Sequence, residues 1–180
     1  FLLQNFDIEQ RVRSRVDDSD YERDHRRVMS TVLVDCRYIG EGYEIDATIA
    51  DVYLVSSEDP SKIIGKPTLY QIVDRKSRLI VGFYFGLENA SWNAALQAIY
   101  SISEDKKALC ERYGVEYCPD DWPAHQVFPQ EFLADRGEMI SHSSSNIAEH
   151  LHVTVTNVPS KRPDWKPLVE NQFRLTHNTL

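Results

Sequence analysis

Residues 43–55, Tyr-Glu-Ile-Asp-Ala-Thr-Ile-Ala-Asp-Val-Tyr-Leu-Val, are rich in β-branched and aromatic side chains in partial alternation, which predicts a first strand. Ser56 to Pro67 carries Pro60, Gly65 and Pro67 among polar residues and reads as a loop. Leu69 to Val73 and Leu79 to Leu87 are two further apolar runs, separated by the turn Asp74-Arg75-Lys76-Ser77, and predict a hairpin. A long helix follows, capped by Asn89 or Ser91. Trp92, Ala95, Leu96, Ile99, Ile102, Leu109, Cys110 and Tyr113 recur near helical spacing, and Gly114 is a stop. Cys118 to Pro129 is irregular. Glu131 to Asp135 reads as a short strand, Ser144 to His150 as a short helix and Leu151 to Val155 as a fifth strand. The last element, Asp164 to about His177, is a predicted helix capped by Asp164, with Pro167 tolerated in its first turn. The order β-β-β-α-β-α-β-α implies an α/β fold with a five-stranded mixed sheet and helices on its faces, the order of the ribonuclease-H-like fold.

Composition narrows the class. The chain has 180 residues, 42% hydrophobic and 27% charged, which suits one soluble globular domain rather than a disordered or fibrous chain. No apolar run approaches the ~20 residues of a membrane span, and no secretory segment is present, so membrane and export roles are not expected. Three scattered cysteines, Cys36, Cys110 and Cys118, argue against a disulfide framework and for a reducing cytoplasm. Residues 1–40 alternate acidic and basic side chains, as in Arg11, Arg13, Arg15, Asp17 and Asp18. They are expected to form a charged linker or helical segment before a core at 41–180. The first residue is Phe, so the chain is expected to be a fragment of a longer protein. The net charge of −8, taken alone, counts against a nucleic-acid partner.

Three carboxylates stand out by position. Asp46 lies mid-strand among apolar residues, where a charge is costly unless compensated. Asp135 sits where a short strand stops and a glycine-bearing turn begins, the end of an α/β sheet where ligands bind. Glu170 is on the final helix, after a basic loop. With 28 acidic residues in the chain, roughly three to four chance pairs fall at any one separation, so spacing alone proves little. Carboxylates on a central strand, on the end of its neighbour and on a facing helix can converge. Such an oxygen donor set suits Mg²⁺ or Mn²⁺.

The segments Tyr43-Glu44-Ile45-Asp46-Ala47-Thr48, Ile72 to Gly82, Leu133-Ala134-Asp135-Arg136-Gly137-Glu138 and Asp164-Trp165-Lys166-Pro167-Leu168-Val169-Glu170-Asn171-Gln172-Phe173 resemble the integrase core of DDE transposases and retroviral-type integrases. Among these, the wording Ala-Asp-Arg-Gly-Glu and Asp-Trp-Lys-x-x-Val-Glu resembles most the TnsB-type transposases of heteromeric Tn-seven-like transposons. The likeness runs over about residues 43–178. It departs at Pro167, where many relatives have Gly, and at Asn171, where a basic residue is common.

The resemblance implies a ribonuclease-H-like (integrase core) fold and a metal triad of Asp46, Asp135 and Glu170. It implies two Mg²⁺ ions, replaceable by Mn²⁺, about 3.5–4 Å apart, with Asp46 touching both. The implied activity is cleavage of the 3′ end of a transposon, followed by attack of the freed 3′-OH on target DNA. The implied partners are transposon-end and target DNA, a partner endonuclease subunit, an ATP-dependent target-selection protein and further copies of the chain assembled on DNA. The implied location is the bacterial cytoplasm, with the nucleoid during reaction. Lys161, Arg162 and Lys166 precede Glu170 and are candidates for holding phosphates, as are Arg174 and His177 one and two turns beyond it. Trp165, with basic neighbours, is the candidate for touching DNA.

Other features read more plainly. Asp74 is expected to stabilise its hairpin turn. Asp51, an odd number of residues from Asp46 on the predicted strand, should face the other side of the sheet and is left out of the triad. Glu138 either supports Asp135, caps a helix or faces solvent. His142, His150 and His152 with Cys110 and Cys118 lack the paired spacing of a zinc site. Trp92 and Tyr100 read as core and rim aromatics on the long helix. The competing functions are a same-fold Mg²⁺ nuclease that only hydrolyses and a catalytically silent scaffold binding DNA or protein. The basic, proline-bearing loop before Glu170 favours the integrase branch. Flanking residues do not favour a two-carboxylate glycosidase. Since three negative charges would serve metal ions, the net charge describes this piece rather than its partner, and the piece alone is expected to bind DNA weakly.

Overall fold

In a computed structural model of the chain, described for residues 15, 36–135, 151–158 and 167–179, alternation along the first strand sets the layers. Strand β1, Gly42–Ile49, turns Tyr43, Ile45 and Ala47 to one face, where they join a cluster with Tyr70, Ile72, Val81, Phe132 and helix α1, Trp92–Ser103. Glu44, Asp46 and Thr48 therefore take the opposite face, covered by helix α3, Pro167–Thr179. That second layer buries Leu168, Val169 and Phe173 against Leu69, Val73 and Ala50. Helices on both sides shield a central strand that is apolar on one face and carries two carboxylates on the other.

The main sheet has the order β5-β4-β1-β6-β7. Strand β4, Thr68–Asp74, is antiparallel to β1 and to β5, Ile80–Gly86. Strands β6, Glu131–Asp135, and β7, Thr154–Val158, run parallel to β1. The predicted five-stranded mixed sheet with helices on both faces is the observed one. Its antiparallel half comes from the hairpin at Asp74 to Ser77. Arg75 to Ser77 form the turn, Ser77 N–H donates to Asp74 Oδ2 at 2.6 Å, and Arg78 is left-handed with φ 64°.

Several boundaries differ from expectation. The first strand ends at Ile49 rather than Val55: Ala50 N–H still bonds Pro67 O at 2.9 Å in the register of the β1–β4 ladder, but Pro67 has no N–H to carry the ladder on, and the chain bends at Asp51. Asp51 consequently lies past the strand, exposed, and pairs with Lys66 at 2.6 Å. The presumed loop 56–67 contains part of a small second sheet, β2, Leu54–Val55, with β3, Ile63–Gly65. The long helix is two helices. Helix α1 stops at Ser103, Asp105 caps α2, Lys106–Tyr113, through its bond from Lys107 N–H, and apolar periodicity carries across the break unchanged. Ser91 is the α1 cap, accepting from Ala94 N–H at 3.3 Å, and Gly114 at φ 67° ends α2, both as expected. The last strand begins at Thr154, not Leu151, since His152 is left-handed at φ 53° and the strand follows it. Helix α3 is described over Pro167–Thr179, ending two residues past His177. The expected helix 144–150, nearly all of the segment 1–40 and the cap Asp164 lie outside the described residues.

Gly82 shows how closely α1 lies on the sheet. A Cβ there would stand 2.9 Å from Ala98 O, 2.9 Å from Ser101 Oγ and 3.0 Å from Ile102 Cγ1. Ser101, buried on α1, donates to Ala98 O at 2.7 Å and accepts from Phe83 N–H at 2.8 Å, tying the helix to the edge strand.

Candidate active site

Asp46 sits in the middle of β1, half-buried, with Gln71 of β4 as its antiparallel partner. On the other side, β1 pairs with β6 through Gly42↔Glu131, Tyr43↔Phe132 and Glu44↔Leu133, where the ladder ends. Continuing that register by two residues sets the Cα of Asp135, the last residue of β6, level with Asp46. The two residues sit where the paired ladder stops, toward the carboxyl ends of parallel strands, the side on which open α/β sheets bind ligands.

Glu170 is the fourth residue of α3 and exposed. The helix reaches β1 through a carboxylate the sequence reading had quoted only as part of a motif. Glu44, fully buried, accepts with one oxygen, Oε2, from the backbone N–H groups of Leu168 and Val169, both at 3.1 Å. These are among the four N–H groups that a helix start leaves without intrahelical partners. The negative charge also meets the positive end of the helix dipole. Further along, Gln71 Nε2 donates to Thr176 Oγ1 at 2.8 Å, and Thr176 donates to Gln172 O at 2.9 Å. Thr176 thus fixes the direction of the Gln71 amide. Gln71 Oε1 is buried with no hydrogen-bond partner among the described residues. Gln172 Nε2 reaches Arg78 O at 2.8 Å, so α3 is pinned at its start to β1 and farther along to the β4–β5 side.

Of the residues expected to matter, the fold places Asp46 and Asp135 on neighbouring strands and Glu170 on the helix that covers Asp46's face. Arg174 is exposed one turn beyond Glu170 and donates to Asn171 Oδ1 at 2.8 Å. His177 is half-buried, and its Nε2 is buried without a partner among the described residues. It therefore does not lie on an open surface stripe with Glu170 and Arg174. Lys161, Arg162, Trp165 and Lys166 lie outside the described residues. Glu44 and Gln71 were the two positions missed. Their partners are more than 100 residues away in the chain, at 124 and 125 for Glu44 and 105 for Gln71, and no local pattern announces them. The one available signal was a second charged residue two places from Asp46, on the same face of the strand.

Asp74 is structural. It is fully buried, and its second oxygen accepts from Gly40 N–H at 3.0 Å. Burial, with the charge of Asp74 adding to it, raises the Tyr43 hydroxyl pKa, and that hydroxyl donates to Val127 O at 2.8 Å. The hydrogen bond and charge of Lys66 lower the Asp51 pKa. Among the described residues no three His, Cys, Asp or Glu side chains gather as a metal site, and no helix is long and apolar enough to cross a membrane. Asp46 and Asp135 are carboxylates, hard oxygen donors whose chemistry suits Mg²⁺ or Mn²⁺ and not a soft metal.

A mixed sheet of this order, antiparallel on one side of β1 and parallel on the other, with α1 and α3 on opposite faces, defines a ribonuclease-H-like α/β domain of the integrase-core type. Residues 44–180 match the family model of the TnsB C-terminal domain, and the chain belongs to that family. It is 44% identical over 165 residues to the transposon Tn7 transposition protein TnsB of Escherichia coli, a match that covers 92% of this chain and 23% of that protein. The chain thus spans less than a quarter of the length of that curated relative. Among solved structures, the catalytic core domain of BIV integrase is similar at 16% identity with a TM-score of 0.46, covering 77% of this chain and 68% of that one. The Mos1 transposase in its paired-end complex with the left transposon end is similar at 15% identity and TM-score 0.43, covering 77% and 42%.

Proposed function

We propose that this chain is the catalytic core of a DDE transposase, a polynucleotidyl transferase that cuts the 3′ ends of a transposon and joins them to target DNA. The observation that supports it best is the β1–β6 register, which, continued by two residues, sets Asp135 level with Asp46, on the strand whose polar face is covered by the helix that carries Glu170. Family membership makes transposition the context. On this reading residues 41–180 form the core and 1–40 a charged linker. The DNA substrates, self-assembly on DNA, a partner endonuclease and an ATP-dependent target selector belong to the same proposal.

Asp46, Asp135 and Glu170 would together hold two Mg²⁺ or Mn²⁺ ions. Bound there, such ions would lower the pKa of an attacking hydroxyl and neutralise charge on the leaving oxygen of an in-line displacement at phosphorus. The protein's part is positional. Asp46 on a strand buried between two helices gives a fixed carboxylate, and α3 sets Glu170 relative to it. Lys161, Arg162, Lys166, Arg174 and Trp165 would orient the DNA strand by its phosphates and bases, and the bound nucleophile, water or a 3′-OH, would decide between cutting and joining.

The test is a strand-joining assay with pre-cut transposon ends and Mg²⁺ in the intact protein. Joined product, lost in Asp46→Ala, Asp135→Ala and Glu170→Ala, is expected. Cutting without joining would indicate a nuclease, no activity with retained DNA binding a scaffold, and joining that survives any one substitution would sink the triad.

A further inference from the structure

We infer that Glu44 is a positioning residue for this site, the link that holds Glu170 at its working distance from Asp46. The inference rests on the metal-triad reading above and adds to it a residue that touches neither metal nor DNA.

Glu44 and Asp46 project from the same face of β1, two residues apart. Glu44 is fully buried, and its Oε2 takes both the Leu168 and Val169 N–H groups. A buried carboxylate is costly unless its charge is met, and here it meets two donors at the positive end of α3. Glu170 is the next residue after Val169, so one carboxylate oxygen connects the strand of the first acidic ligand to the helix of the third. The bond spans 125 residues of sequence and closes within three residues of each end of the proposed triad pair. Other anchors of α3, from Gln71 to Thr176 and from Gln172 to Arg78, lie farther along the helix and toward β4 and its turn. They fix its course from its second turn onward, while the two bonds to Glu44 lie in its first turn. Without Glu44, the first turn would keep its apolar contacts through Leu168 and Val169 and lose the hydrogen bonds that set its register.

The chemistry separates this role from a mere contribution of negative charge. Gln at position 44 keeps a carbonyl oxygen able to accept both N–H bonds and removes the charge. Leu keeps similar bulk and removes both. Positioning through the hydrogen bonds predicts that Gln retains most of the function and Leu loses it, whereas a charge effect predicts that the two fall together.

The experiment measures strand joining and its Mg²⁺ and Mn²⁺ dependence in the intact protein for Glu44→Gln and Glu44→Leu, with DNA-end binding and thermal melting alongside. Asp46→Asn serves as the control. Glu44→Gln should bind ends and melt like the parent and need a few-fold more Mg²⁺ for half-maximal joining. Glu44→Leu should raise that requirement at least about tenfold, with part of the loss recovered in Mn²⁺, as expected when support for metal ligands is removed. Should Glu44→Leu fail to fold, Glu44→Gln alone decides: at unchanged end binding, a Mg²⁺ requirement raised by no more than a few-fold supports the inference, and one raised tenfold or more, the mark of a charge effect, overturns it. A parental Mg²⁺ requirement in Glu44→Gln together with a folded, fully active Glu44→Leu would overturn it. So would equal losses in the two variants, or losses that only track melting. Asp46→Asn separates the two layers: if it joins normally the triad reading itself fails, and if it is inactive while the Glu44 variants behave as parent, only this inference fails.

Discussion

Replacing Asp74 by Ala should destabilise the domain without touching the proposed chemistry. Asp74 is fully buried at the end of β4, with Oδ1 accepting from Gly40 N–H at 3.0 Å and Oδ2 from Ser77 N–H at 2.6 Å. The substitution leaves Gly40 N–H without a partner inside the protein, while Ser77 N–H, partly buried, regains water in part. Two bonds to a charged acceptor, one of them replaced by solvent, amount to about 3 kcal/mol. At ~2–4 °C per kcal/mol for a domain of this size, the melting temperature should fall by about 6–12 °C. Asn, which keeps one carbonyl acceptor and turns an amide donor toward the second N–H, should cost about 2 kcal/mol. Thermal unfolding followed by circular dichroism measures both. The result that refutes the reasoning is a melting point for Asp74→Ala within about 2 °C of the parent, for then neither bond contributes and the aspartate is not what closes this corner of the sheet.

Gly82→Ala should overpack the α1–β5 contact, where the new Cβ would press on a helix backbone oxygen at 2.9 Å. Overpacking of ~1–3 kcal/mol, less ~0.4–1 kcal/mol of unfolded-state entropy, predicts a lower melting point, and an unchanged or higher one contradicts it. Lys106 is almost wholly buried, donates to Ser101 O and lies 5.6 Å from the Trp122 ring centre, and burial lowers its ammonium pKa. The unfolded chain therefore binds more protons between the lowered folded pKa and ~10.4, and stability from this group rises with pH across that window. Lys106→Met should flatten the rise measured by denaturant unfolding between about pH 8 and 10, and identical slopes would refute it. Alanine at Lys161, Lys166 or Arg174 should each reduce the salt dependence of DNA-end binding by about one phosphate contact, and an unaltered slope removes that residue from the interface.

Local signals carried most of the fold into the sequence. Partial alternation found β1 and apolar runs found β4 and β5, the Asp74–Ser77 turn joined the hairpin, and Ser91 and Gly114 marked helix ends through specific hydrogen-bond and left-handed geometries. Where the reading slipped, a tertiary or non-periodic feature decided. Pro67, with no N–H to extend the ladder, and the bend at Asp51 stopped β1 early although the apolar pattern ran on to Val55. Asp105 broke one helix into two without breaking the apolar stripe. His152, left-handed with no glycine to announce it, delayed β7. The candidate site divides in the same way. Asp46 and Asp135 were legible because a charge within an apolar strand and an acid at a strand end are local anomalies. Glu44 and Gln71 act on α3 across more than 100 residues, so their roles appear only once the chain has folded.

The most direct test of the central claim is anomalous diffraction from crystals of the chain equilibrated with Mn²⁺. The account predicts a peak about 2.0–2.3 Å from carboxylate oxygens of Asp46 and Asp135, absent from Asp46→Asn crystals treated identically. A peak that persists in Asp46→Asn, or Mn²⁺ bound only away from the β1–β6 end of the sheet, would contradict it.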